Sequence, residues 1–207
     1  MLIFKVFSAL LSYPGHELRA ALPEIAAIVR ASPLLGGVEQ EEIAALICEL
    51  EQGELLDLEE SYVDLFDRGR ALSLNLFEHL HGESRDRGSA MVELKQLYES
   101  AGFDLSSREL PDYLPVVLEY LSCRDMAEAR DLVGDCAHIL ENIARGLIAR
   151  QSRYGSVLQA LLVIAGGRRV DAADVRPAVD SAGALDRQWA EQPAFGDDIQ
   201  SRKVEVV

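Results

Sequence analysis

Over residues 2–165 the chain repeats one device. Apolar residues fall three or four apart, a short break rich in Gly, Pro or Ser follows, and the spacing resumes. A period near 3.6 gives each segment one apolar stripe, and a stripe leaves water only by packing against another stripe. The pattern predicts an all-α chain: a single-domain helical bundle of about eight to nine helices around one core, with no internal repeat.

The stripes place the elements. Ile3, Phe4, Phe7, Leu10 and Leu11 mark a helix over 2–11, ended by Ser12-Tyr13-Pro14-Gly15. A second covers 17–30, with Pro23 expected to break or kink it. A third covers 39–52 on Ile43, Leu46, Ile47 and Leu50, with Gly53 expected to end it in a left-handed conformation. A fourth covers 55–66. Residues 71–81 fit a strand, because Leu72, Leu74 and Leu76 alternate, and also a helix through Leu72, Leu76 and Leu80. Helix is preferred because no neighbouring segment supplies a strand to pair with. The next helix, 86–101, should turn Met91, Leu94, Leu97, Tyr98 and Ala101 inward and close at Gly102. In ELPDYLPVVLEYLS, residues 109–122, Asp112 is suited to N-cap a helix and Pro115 to sit in its first turn. The longest helix is expected over 125–151, on Leu132, Cys136, Ile139, Leu140, Ile143 and Leu147. Residues 156–165 are apolar nearly all round and should be buried. Gly166-Gly167 marks a domain end, so residues 1–167 are read as the helical domain and 168–207 as an acidic, largely flexible tail. From Asp171 onward acids outnumber bases eight to four.

Charge narrows the function classes. The 207 residues carry a net charge of −15. Phosphate recognition needs clustered Lys and Arg, so nucleic acid is a poor partner, and so is an anionic membrane surface. Basic partners are favoured. Between Arg30 and Arg68 stand eleven acids and no base. Most of these suit solvated helix faces, and together they could form a negative wall that steers a cationic peptide. Residues 2–11 lack the basic n-region and the cleavage site of a signal peptide, and no apolar run approaches the roughly 18 residues needed to span a bilayer. A cytoplasmic location is expected. Cys48, Cys123 and Cys136 are too scattered for a disulfide frame or a zinc site and read as small core side chains.

Catalytic motifs are missing from the sequence: no Gly-rich phosphate loop, no serine elbow and no Cys–His pattern. The best metal candidate is His79 and His81 with Glu78 and Glu83, which would make the chain a metal-dependent helical hydrolase. Residues two apart on a helix point to nearly opposite sides, so the two imidazoles would not share one ion. The expected catalytic and metal sets are therefore both empty, and the protein is read as no enzyme. Tyr62, Leu65 and Phe66 read first as a core stripe. Glu119 stands out as a charge with no basic residue within four positions.

Three stretches carry a resemblance: YVDLFDRGRALSLNLFEHLHGESRDRG at 62–88, LSYP at 11–14, and ELPDYLPVVLEYLS at 109–122. They resemble the nitrate reductase delta subunit, the NarJ-type family of molybdenum-cofactor assembly chaperones. The last stretch also resembles the broader redox-enzyme maturation family, whose pattern is Glu-Pro-Asp-His followed by Leu-Glu. Here Leu110 is inserted and Tyr113 stands in place of the His. The resemblance covers residues 1–165.

The resemblance implies an all-α chaperone without catalysis and without a stably bound cofactor. It implies binding, in the cytoplasm, of the N-terminal segment of the apo catalytic subunit of respiratory nitrate reductase. That subunit would be held until its molybdenum cofactor and iron–sulfur cluster are inserted and it docks at the membrane. On this expectation Tyr62, Leu65, Phe66, Leu72, Leu76, Leu114 and Leu118 supply an apolar groove or its support. Asp67, Asp112 and Glu119 supply negative charge at its edge, Arg68, Arg70, Arg85 and Arg87 hold the turns, and Tyr113 joins the binding set.

Overall fold

The computed structural model describes residues 1–81, 86–105 and 109–175. Among them lie ten α-helices and no strand. They are α1 (Leu2–Leu11), α2 (His16–Ala31), α3 (Gly37–Gln52), α4 (Leu55–Phe66), α5 (Leu76–His81), α6 (Asp86–Ser100), α7 (Leu114–Ser122), α8 (Met126–Asp135), α9 (Ala137–Ala149) and α10 (Gly155–Ile164). One-turn 3₁₀ segments stand at Arg70–Leu72 and Ala172–Asp174.

The most apolar segments form the centre. In α1, Phe4, Phe7, Leu10 and Leu11 are wholly buried, and α1 packs along α7, where Leu118 and Leu121 are equally buried. Ser8, on that contact, donates from Oγ to the Pro115 carbonyl at 2.7 Å. Nearly every residue of α10 is buried, as an all-round apolar helix requires, against α9, α3 and α8. α2 packs on α3 and α1 with Leu22, Ile25 and Val29 inward.

Several local expectations are corrected. Pro23 does not interrupt α2; it faces water, with the buried stripe continuing on both sides of it. Gly53 is extended, at φ −67° and ψ 149°, and its use is close approach: a Cβ there would lie 2.9 Å from Leu58 Cδ2. The left-handed glycines among the described residues are Gly102, at φ +72°, just after α6, and Gly166, at φ +84°, just after α10. Leu97 faces outward, and so do Cys48 and Cys123, with Cys136 only half-buried. The expected long helix over 125–151 is two helices, with the break at Cys136 just past Gly134-Asp135, two poor helix formers in succession.

The 71–81 stretch divides between the two patterns that it fits. After the 3₁₀ turn, Leu114 donates its N–H to the Leu74 carbonyl at 2.8 Å, and Leu76 donates to the Asp112 carbonyl at 3.0 Å. Asn75 and Tyr113 thus form an isolated antiparallel bridge before α5 begins. Leu72, Leu74 and Leu76 are all buried. Asp112 does not cap α7, whose N-cap position belongs to Tyr113. Its Oδ2 instead accepts from the Phe77 N–H, 3.0 Å away in the first turn of α5. Of the expected tail, 168–207, residues 168–175 are described and include the 3₁₀ turn Ala172–Asp174, while 176–207 lie outside the described residues.

Candidate partner-binding site

The residues of the three notable stretches meet at one joint, and Tyr62 is its centre. Helical spacing puts Glu59, Tyr62 and Phe66 on one face of α4. The Tyr62 ring lies 4.8 Å from that of Phe66, 5.6 Å edge-on from Tyr13 and 5.9 Å from Tyr154. Phe66 and Tyr154 meet edge-on at 5.3 Å. Such pairs contribute about 0.5–1.5 kcal/mol each beyond the area they bury. The Tyr62 hydroxyl donates to the Leu11 carbonyl at 2.7 Å. Its single proton is then spent, so the contact with the Tyr113 hydroxyl at 2.8 Å runs from Tyr113 to Tyr62. The chain Tyr113 to Tyr62 to Leu11 joins the 109–122 stretch, the 62–88 stretch and the LSYP turn.

The joint grades from dry to wet. Tyr62 is buried, and burial pushes its pKa far up, so the phenol stays a neutral donor. Tyr113, half-buried, is raised for the same first reason. Tyr13 is 50% exposed and presents its ring to solvent. The Asp67 charge raises the pKa of Tyr13, Tyr62 and Tyr113 after burial has done so, and Glu59 adds to it at Tyr13. Asp67 itself is exposed and has no ion-pair partner among the described residues. The outer face is therefore an aromatic ring flanked by carboxylates, a surface that attracts a cationic and partly apolar segment.

The other candidates are placed as follows. Leu65 is half-buried on α4. Leu72, Leu76, Leu114 and Leu118 are all core residues, at 4% exposure or less. They can support the joint but offer no open surface. Arg68 pairs with Asp64 at 2.9 Å on the helix exterior, and Arg70 is exposed. Glu119 is exposed on α7. Arg85 lies outside the described residues, and Arg87 reaches Glu78 at 3.3 Å.

Asp112 is fully buried, so it puts no charge at a surface edge. Burial raises its pKa against the pull of the Phe77 N–H and Arg87, and Oδ1 has no hydrogen-bond partner. The Tyr154 hydroxyl is likewise buried without one. His79 Nε2 lies 2.8 Å from the Ser73 carbonyl, which can only accept, so that nitrogen carries the proton and is not free to ligate. Among the described residues no group of three His, Cys, Asp or Glu side chains is placed to hold a metal ion. No helix among them is long and apolar enough to cross a membrane.

Two contributors escaped sequence reasoning. Tyr13 was visible only as part of a turn. Tyr154 had no signal, because it follows α9 in a turn and reaches the joint through the tertiary fold alone.

Residues 32–156 match the family model for the nitrate reductase delta subunit. The chain is 39% identical over 198 residues to the nitrate reductase molybdenum cofactor assembly chaperone NarJ of Escherichia coli K12, covering 93% of this chain and 84% of that one. A probable chaperone of the same description from that strain, NarW, is 37% identical over 93% of this chain and 82% of its own length. The probable NarJ of Bacillus subtilis is 32% identical over 77% of this chain and 85% of its own. The matched span takes in the whole aromatic joint except its LSYP turn, and the two Escherichia coli relatives each cover 93% of the chain. This all-α protein belongs to the nitrate reductase delta subunit family, that of the NarJ-type molybdenum-cofactor assembly chaperones.

Proposed function

We propose that this chain is an assembly chaperone that binds the N-terminal segment of the apo catalytic subunit of respiratory nitrate reductase. It holds that subunit in the cytoplasm while the molybdenum cofactor, and with it the iron–sulfur cluster, is inserted, and before the complex docks at the membrane. The cofactor is cargo of the partner, and the chain itself carries out no bond-making. One observation carries this proposal. The three stretches that mark the family converge on one half-exposed aromatic joint, with the exposed carboxylate of Asp67 at its edge.

The chemistry suits an amphipathic segment with a basic face. Tyr13 and Leu65 offer apolar surface, Asp67 and Glu59 offer charge, and the buried Tyr62, Phe66, Leu72, Leu76, Leu114 and Leu118 fix the platform. The metal-hydrolase alternative has less to draw on at Glu78, which pairs with Arg87.

Calorimetric titration with the partner's N-terminal peptide tests the assignment. Saturable binding is expected, with Asp67→Lys weakening it by about 1 kcal/mol, the scale of an exposed charge pair. Absence of binding to the unaltered chain sinks the function. Full affinity in Asp67→Lys together with Tyr13→Ala removes this face from it.

A further inference from the structure

Gln159 is 4% exposed in a helix that is otherwise apolar save for Ser156. Its amide makes two bonds to one residue outside the helix. The Val170 N–H donates to Oε1 at 2.8 Å, and Nε2 donates to the Val170 carbonyl at 2.8 Å. A neighbouring strand would pair with an extended residue in the same way, and the pairing reads main chain rather than side chain. One residue earlier, the Arg169 guanidinium lies between two carboxylates of α3. It donates to Glu39 Oε1 at 2.7 Å and to both oxygens of Glu42 at 2.6 Å. Burial pushes Glu39 up, but the bonds from Arg169 and from the backbone N–H of Gly36 outweigh it and hold the carboxylate below its usual range. The Val170 side chain is 6% exposed against the core. Beside these contacts a cleft of about 540 Å³ stays open, with Glu42, Ser156 and Gln159 on its helical wall and residues 169–172 forming the other.

We propose that the α3–α10 cleft is a second peptide-binding site, for an extended segment in which an arginine precedes an aliphatic residue, and that Arg169 and Val170 occupy it in cis. The recognition set is complete without any covalent link to the occupant: a carboxylate pair for the guanidinium, an amide for one residue's main chain, and an apolar seat. Emptying the site would leave the buried Gln159 amide and the Glu39 carboxylate without these partners, which is costly for buried polar groups. Exchange for an incoming segment is therefore favoured over simple opening. The base-free acidic run that contains α3 draws such a segment in. The occupant is thus a basic, extended stretch of a partner protein.

The test uses the full chain and the blocked peptide Arg-Arg-Val-Asp-Ala, which copies residues 168–172. In the double variant Arg169→Ala, Val170→Pro the resident segment loses its guanidinium and its N–H. The peptide should bind this variant at least about tenfold more tightly than the unaltered chain, a difference of about 1.4 kcal/mol. Adding Glu39→Gln and Glu42→Gln should abolish binding, as should a peptide with Gln for its second Arg. Equal affinity for the two peptides overturns the proposal, and so does failure of the folded variant to bind. Hydrogen exchange on the unaltered chain gives a test without substitutions. The Val170 amide should exchange far faster than the amides of α10, because the segment opens without global unfolding. Equal protection would show a fixed structural tie and overturn the proposal.

Discussion

At the scale of single residues, the direction of the hydroxyl chain decides what each phenol is worth. Tyr62 both donates to Leu11 and accepts from Tyr113. Tyr62→Phe orphans the Leu11 carbonyl and the Tyr113 hydroxyl together, and should cost about 1–3 kcal/mol in urea unfolding. Tyr113→Phe leaves the Tyr62–Leu11 bond intact and should cost less. Equal losses would mean that the proton order is reversed. Asp112 sets a second expectation. Its pKa is raised above the ordinary 3.8, so the folded state holds its proton more tightly than the unfolded chain does. Its stabilising contribution is then fully present below the ordinary value and lost as pH rises through the raised one. Asp112→Asn keeps an oxygen for the Phe77 N–H and removes the buried charge. Unfolding of both proteins from about pH 7 to about pH 4 should show the unaltered chain gaining on the variant as pH falls. Glu39, held low, works in the opposite sense: its contribution is present above its ordinary 4.5 and is lost as pH falls. A constant difference between the Asp112 pair would remove the buried charge from the account.

At the scale of elements, packing sets the sign of a substitution that propensity alone would misjudge. Gly146 sits inside α9, where Gly→Ala would ordinarily stabilise by about 1 kcal/mol. A Cβ there would run into Leu72 Cδ2, which ties the 3₁₀ turn to α9. Gly146→Ala should therefore destabilise, by about 1–3 kcal/mol, and Leu72→Ala in the same chain should recover part of that loss in thermal melts. Helices with a one-sided stripe were legible from the sequence because their own residues satisfy the pattern: 2–11 and 55–66 match to the residue. What was not legible depends on partners elsewhere in the chain. The Asn75–Tyr113 bridge is a single pair, too short for any strand signal. Asp112 was readable as a cap, but the helix that it caps is a tertiary neighbour. A stripe also cannot distinguish core from groove, since both are apolar. Tyr62, Phe66 and Tyr113 did come together, whereas Leu118 and Asp112 went wholly inside. The socket for Arg169 was out of reach altogether, because Glu39 and Glu42 sit far from it in the sequence and Gln159 is hidden in an apolar run.

At the scale of the whole molecule, a net charge of −15 acts on folding and on binding with opposite signs. Like charges on α3 and α4, between Arg30 and Arg68, repel one another in the compact state more than in the expanded one. Added salt screens that repulsion, with a Debye length falling from about 30 Å at 0.01 M to about 8 Å at 0.15 M. The melting temperature should therefore rise with sodium chloride over this range. The same screening weakens the pull of Asp67 and Glu59 on a cationic segment, so affinity for the partner's N-terminal peptide should fall as stability rises, mostly through slower association. Parallel melting and stopped-flow measurements across one salt series check both trends. If affinity were flat while the melting temperature climbed, the acidic face would matter only to the fold, and apolar contact around Tyr13 would carry recognition alone.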